Sequence, residues 1–265
     1  MYLKVLNKID KYVFNILIYY KKMKKPTVLL ERFYDDENKY EISIDEAGRG
    51  CLFGRVYIAC VVLPKDSTKF DGTNIKDSKK FSSKKKLNEV AEYIKENALA
   101  WHVEYIDANV IDNINILKSV MQGMHNCIRN TISNIETNID VDSKLEDFSA
   151  IVDGNYFTPY MIFNEETSCM NELSSTTVEQ GDAKYMGIAA ASILAKTSRD
   201  AYMIEMCDKY PLLDDYYGFR KNVGYGTKQH REGIIEHGIT SWHRRTFGQA
   251  CRNANIIDIP EKKDS

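Results

Sequence analysis

The chain has 265 residues, 43% of them apolar and 28% charged, with a formal net charge of −2. That length suits one large domain, or one domain with a small appendage, and the apolar share is enough for a sizeable core. The charge balance excludes a uniformly basic nucleic-acid coat but not local basic patches, because phosphate binding depends on where Lys and Arg sit.

In chain order, the first feature is YVFNILIYYKKMKK at residues 12–25. Asn15 interrupts its apolar run, which is too short to span a bilayer, so no membrane is expected. Its lysines follow the apolar run, where a secretory signal would have them in front, and no clear cleavage site follows. Residues 1–38 read as an N-terminal extension of unknown role that packs on the domain or frays; a start at Met23 would remove most of it.

After the acidic turn YDDENK, YEISIDEAG alternates and then becomes apolar, as a strand does. RVYIACVVLP is a second strand, stopped by Pro64, and the short link with Gly48, Gly50 and Gly54 suits a tight antiparallel connection. FSSKKKLNEVAEYIKENA opens with capping serines and carries Leu87, Val90, Ala91 and Ile94 at helical spacing. AWHVEYID is a strand. From Val110 one long helical pattern runs through Ile114, Leu117, Val120, Met121 and Met124 into the polar stretch 131–148, which reads as a surface insertion. SAIVDGNY is a short strand ending at Asp153 and Gly154. The polar segment 164–180 suggests a strand near Thr176 to Glu179. The Ala-rich run 183–210 is the strongest helix and is expected to be central; Pro211 ends it. The remainder reads as a glycine-rich loop, a short helix and a basic turn. The pattern is an α/β or α+β sheet with helices on its faces. Six scattered cysteines without a C-x-x-C pair indicate reduced, packed thiols in a cytoplasmic or nuclear protein, and no zinc site.

The stretch DEAGRGCLFG can be read in two ways. Gly48, Gly50 and Gly54 follow a strand as dinucleotide-loop glycines do, but such a loop needs a helix N-terminus for the pyrophosphate, and here a strand follows. The glycines then let the backbone approach something closely. The other reading starts from the acids. Asp45 and Glu46 end one strand, Asp153 ends another, and Asp182 precedes the Ala-rich helix. If those strands are neighbours, the carboxylates converge and raise one another's pKa unless a cation neutralises them. Oxygen donors suit Mg²⁺ or Mn²⁺, which can activate water and stabilise a phosphoryl transition state. Taken singly, Asp182 could cap its helix and Asp153–Gly154 could be a turn.

IDEAGRG, IKDSKKFS, IVDGN, GDAKYMGIAAASILAKTSRD, VGYGTKQH and HRRTF occur in the order found in ribonuclease HII, and from Ile42 to Phe247 the chain resembles that family. The resemblance implies an RNase H-like mixed β-sheet flanked by helices over residues 39–210, with a helical, substrate-contacting C-terminal extension over 211–265. It implies an endoribonuclease that cuts the RNA strand of RNA–DNA hybrids and cuts 5′ of single ribonucleotides in duplex DNA, leaving a 3′-hydroxyl and a 5′-phosphate. Asp45, Glu46, Asp153 and Asp182 match its metal-binding catalytic acids, with two Mg²⁺ or Mn²⁺ ions in the substrate complex. Gly48, Arg49 and Gly50 match the segment that contacts the ribose 2′-hydroxyl, the one handle that separates RNA from DNA at a given site. Tyr225 matches the junction-sensing tyrosine.

Lys79 and Lys80 match a substrate-groove motif; for Lys84, Lys85 and Lys86 a solvated helix face accounts equally well. Ser192 and Lys196 are placed toward the substrate. Arg199 with Asp200 could be a structural ion pair, and His230 and His243 are not assigned to the catalytic set. DEAGRG with GYGT, and too short an extension for the extra domain of type HIII, favour type HII. The expected partners are RNA–DNA hybrid and ribonucleotide-containing duplex, for a monomer; no sliding-clamp peptide is recognisable at the C-terminus, which leaves a clamp partner open. The rival reading is an inactive hybrid-binding accessory protein, against which the presence of all four acids argues.

Overall fold

A computed structural model describes residues 30–165 and 167–262. The apolar segment at 12–25 and the alternative start lie outside the described residues. The strands are β1 (Tyr40–Ala47), β2 (Val56–Val62), β3 (Ala100–Ile106), β4 (Phe148–Asp153), β5 (Met161–Asn164), β6 (Cys169–Glu172) and β7 (Ser174–Val178). The helices are α1 (Lys84–Asn97), α2 (Ala108–Ile114), α3 (Ile116–Asn138), α4 (Met186–Lys209), α5 (Leu212–Tyr217), α6 (Phe219–Asn222), α7 (Lys228–His237) and α8 (Gln249–Asn253). Five strands form one mixed sheet in the order β3-β2-β1-β4-β7, antiparallel from β1 to β3 and parallel from β1 to β7; β5 and β6 pair separately.

Both faces of this sheet are covered, which explains why β2 is a continuous apolar run. Val56, Ile58, Cys60 and Val62 point one way, into a cluster with Val120, Met124, Cys127 and Ile128 of α3. Ala59 and Val61 point the other way, onto Leu87, Ala91 and Ile94 of α1 and Ala189 to Ala195 of α4. The broad apolar character of α4 follows, since it is pressed between the sheet and α1. Ser83 caps α1 by accepting the Lys86 N–H, as the serine pair suggested.

Three readings of the pattern change. The helix expected from Val110 is two helices, broken at Asn115, whose φ of +70° halts α2 and whose side chain caps α3 through the Lys118 N–H. The polar stretch from 131 is not all insertion: α3 continues to Asn138, burying Thr131, Ile132 and Ile135 on one face. The segment 164–180 holds a hairpin strand, β6, and then β7, which starts two residues earlier than expected and joins the main sheet beside β4. Within the presumed extension, residues 30–38 are tied to the core, with Glu31 bonded to Lys184 and Met186 by backbone and Glu41 accepting the Tyr34 and Asp35 N–H groups.

The C-terminal helices pack around Phe53, Tyr57, Tyr202, Tyr217 and Phe219 as a third apolar cluster. All six cysteines are free thiols, and all but Cys169 are buried. Among the described residues, no helix is long and apolar enough to cross a membrane.

Candidate active site

β1 is the strand at which the sheet changes direction, with antiparallel β2 on one side and parallel β4 on the other. Ligand crevices of open α/β sheets form at the carboxyl ends of strands beside such a switch. β1 and β4 run in register up to Ile44 opposite Val152, so Asp45 and Asp153 follow at the same edge. Asp182 reaches that edge from β7. Gln180 takes the left-handed conformation and Gly181–Ala183 form a single 3-10 turn. The Gly181 N–H donates to Asp153 Oδ1 at 2.7 Å, tying the two acidic segments together. A Cβ on Gly181 would lie 2.5 Å from Ile188 Cδ1 and 3.3 Å from Asp153 Oδ1, so a larger residue before this aspartate would have to displace the Ile188 side chain. Asp182 is not a helix cap, because α4 starts at Met186 behind Tyr185 with no side-chain cap bond.

The electrostatics of this edge are unbalanced. Burial raises Asp45 well above the ordinary carboxylate range, helped by repulsion from Asp153 and Glu46, while the Ser192 hydroxyl pulls the other way. Burial also raises Glu46 and Asp153. Two exposed cations answer part of the charge: Arg49 Nη1 sits 3.2 Å from Glu46 Oε1, and Lys79 Nζ 3.4 Å from Asp182 Oδ2. Among the described residues, no three His, Cys, Asp or Glu side chains close around a point where a cation would sit. The donor set nonetheless fits a hard divalent ion, since all four groups are oxygen donors without sulfur or imidazole, and three of them have pKa values that a cation would lower. Asp45, Glu46, Asp153 and Asp182 are the residues that could hold it.

These acids floor a cleft also lined by Gly48, Arg49, Gly50, Ser78, Lys79, Ser192, Lys196, Arg199, Asp200, Val223 and Tyr225. The two glycines of the loop have different reasons. Gly48 is buried at φ +89°, and a Cβ there would lie 2.1 Å from Arg199 Nε, so the fold itself demands glycine. Gly50 is exposed, and a Cβ there would meet nothing within 4 Å. Tyr225 is half exposed across the cleft, carried by a turn in which Val223 has φ +43° and Gly224 φ +81°. A β-branched residue with positive φ is rare and stores strain of about 1–3 kcal/mol, a pattern that gathers at functional sites.

The family model for ribonuclease HII matches residues 42–250. The chain belongs to the ribonuclease HII family. It is 42% identical over 214 residues to the ribonuclease HII of Parabacteroides distasonis, an alignment covering 81% of this chain and 92% of that one. Among solved structures it is similar to the ribonuclease HII in a complex with PCNA from Archaeoglobus fulgidus (TM-score 0.55, 25% identity, 79% of this chain and 96% of that chain). It shares the fold of ribonuclease H2 from Pyrococcus horikoshii (TM-score 0.56, 20% identity, 81% and 96%). As a ribonuclease HII this chain is a divalent-metal-dependent endoribonuclease with RNase H activity on RNA–DNA hybrids, on an RNase H-like mixed sheet.

Of the residues that the ribonuclease HII motifs single out, the fold brings all but Lys80 to the cleft. Lys80 turns to Asp77, 3.7 Å away. Lys84, Lys85 and Lys86 are exposed on the first turn of α1. The suggested Arg199–Asp200 pair does not form: Asp200 takes Lys196 at 3.3 Å, and Arg199 is buried without a carboxylate partner among the described residues. His230 and His243 are buried against each other, away from the acids. Sequence reasoning passed over Ser78, whose hydroxyl meets that of Ser192 at 3.2 Å, and Arg244, the largest fully buried side chain. Ser78 had a signal in standing next to Lys79; Arg244 had none, since an arginine in a basic turn reads as surface.

Proposed function

We propose that this ribonuclease HII cuts duplex DNA on the 5′ side of a single embedded ribonucleotide as well as the RNA strand of hybrids, leaving a 3′-hydroxyl and a 5′-phosphate. The observation that carries the reading is that a chemical edge and a recognition loop face one cleft: four acids line it together with an exposed glycine backbone and a half-exposed tyrosine. Asp45, Glu46, Asp153 and Asp182 would hold Mg²⁺ or Mn²⁺, two ions in the substrate complex, with Asp45 and Asp153 side by side at the strand ends. Bound there, such ions would supply Lewis acidity that activates water and offsets the charge developing at the phosphate.

The chain's own residues do the selecting. Arg49 and the Gly50 backbone meet the ribose 2′-hydroxyl, because only an unhindered backbone comes within hydrogen-bond range of it. Tyr225 stacks on the deoxyribose that follows and leaves no room for a second 2′-hydroxyl. Lys79 and Lys196, each resting against an acid, turn to the phosphates when substrate enters. Nucleic acid is the only partner this reading requires. The test is cleavage of a DNA duplex carrying one ribonucleotide, with and without Mg²⁺, with the cut mapped. A metal-dependent cut 5′ of the ribonucleotide is expected, and an uncut duplex beside a cleaved hybrid would overturn the junction reading.

A further inference from the structure

Arg244 has no exposed surface and no ion-pair partner among the described residues. Burial lowers its pKa to about 10, so it stays charged at neutral pH. A buried cation is costly unless its donors are used. Two of them are: Nε donates to the Gly54 carbonyl and Nη1 to the Arg49 carbonyl, each at 2.9 Å. Its own N–H donates to Leu52. The C-terminal turn thus grips the 49–54 loop at three carbonyls. Arg199, 2% exposed, passes beneath the same loop under Gly48 and likewise lacks a carboxylate.

One peptide unit in this arrangement has two ends with different uses. The Arg49 carbonyl and the Gly50 N–H belong to the same planar trans unit and point in opposite directions. Because the carbonyl is drawn inward to a buried guanidinium, the N–H is turned outward. Gly50 is exposed, nothing occupies the space where its Cβ would be, and no acceptor among the described residues takes its N–H. A charged donor on the carbonyl also polarises the amide and strengthens the N–H at its other end.

We propose that Arg244 is a positioning residue for ribonucleotide recognition: by holding the Arg49 carbonyl it aims and sharpens the Gly50 N–H as the donor that meets the 2′-oxygen. The inference rests on the junction reading above. It separates Arg244 from mere loop glue, because glue would support every substrate equally, whereas an aimed donor matters only when a 2′-oxygen is present.

The test uses the full chain and its Arg244→Lys variant, which keeps the charge but cannot span both carbonyls. Binding is measured by fluorescence anisotropy in EDTA, to two duplexes that differ only by one ribonucleotide. The wild type is expected to prefer the ribonucleotide duplex, and the variant to lose about tenfold of that preference while holding all-DNA duplex as before, the loss expected for one backbone hydrogen bond to the 2′-oxygen. An undiminished preference in a folded variant, or an equal loss on both duplexes, overturns the proposal and leaves the junction reading standing. A wild type without preference overturns both. If Arg244→Lys does not fold, the wild-type Gly50 amide decides. Its resonance should exchange readily in the free protein and shift on adding the ribonucleotide duplex but not the DNA duplex. An amide already protected, or indifferent to the ribonucleotide, overturns the proposal.

Discussion

The imidazoles of His230 and His243 are joined Nε2 to Nε2 at 3.1 Å inside the C-terminal cluster, and their neighbours determine which nitrogen carries each proton. The Thr240 N–H donates to His243 Nδ1 at 3.0 Å, so His243 bears its proton on Nε2 and donates to His230. His230 then bears its proton on Nδ1 and donates to the Tyr225 carbonyl at 3.0 Å. The chain of donors ends on the residue proposed to sense the junction, and it works only with both rings neutral.

A pH dependence follows. Burial lowers His230 to about 4 and His243 well below its usual value, whereas in the unfolded chain both titrate near 6.5. The unfolded state therefore binds more protons in between, and stability rises with pH there. The pair's contribution is complete above about pH 6.5 and drains as pH falls toward 4, at up to about 1.4 kcal/mol per pH unit for each ring. The raised acids Asp45, Glu46 and Asp153 have the opposite slope. Urea unfolding in EDTA from pH 4 to 7 should show a shallower acid loss in His230→Gln/His243→Gln than in the wild type, and parallel curves would refute the neutral pair.

Asp45→Asn should abolish cleavage while leaving hybrid binding in place, as should Asp153→Asn. Removing one charge from an unbalanced, buried cluster should also raise the melting temperature in EDTA by a few degrees. Added Mg²⁺ should stabilise the wild type more than the variant, in proportion to the ion it binds. Near wild-type cleavage by either variant would remove these acids from the site.

Gly48 and Gly50 should respond differently to the same methyl group. Gly48→Ala places a Cβ on the Arg199 side chain at positive φ and should cost about 2 kcal/mol or more in chemical denaturation. Gly50→Ala should leave stability within about 0.5 kcal/mol of wild type, having nothing to strike, yet reduce cleavage at a single ribonucleotide. Equal stability losses would mean that the open space above Gly50 is not there.

Arg49→Ala and Tyr225→Ala should spare the cleavage chemistry and weaken its placement. Both are expected to cut a uniform hybrid at rates closer to wild type than they cut a single-ribonucleotide duplex, measured as the ratio of kcat/KM values. Two variants with unchanged ratios would take the recognition role from these residues.

The alternation of YEISIDEA, the β-branched run of β2, the serine cap of α1 and the Ala-rich α4 were legible from residue order, because each is a local pattern answering to one or two neighbouring surfaces. Motif order carried the four acids. The break at Asn115 was not legible, because its helical propensity differs little from that of its neighbours. Sequence also placed acids, glycines and basic residues in the site without telling which groups face each other. Only the parallel register of β1 with β4 sets Asp45 beside Asp153. The distinction between Gly48, required by Arg199, and Gly50, left open to the cleft, likewise belongs to tertiary structure. So does the burial of Arg199 and Arg244, which look like surface arginines in the chain and lie 45 positions apart in it. Local sequence determines what a segment can form and which chemistry it carries. The direction of a buried guanidinium or a backbone N–H is decided by long-range packing, which no local pattern encodes.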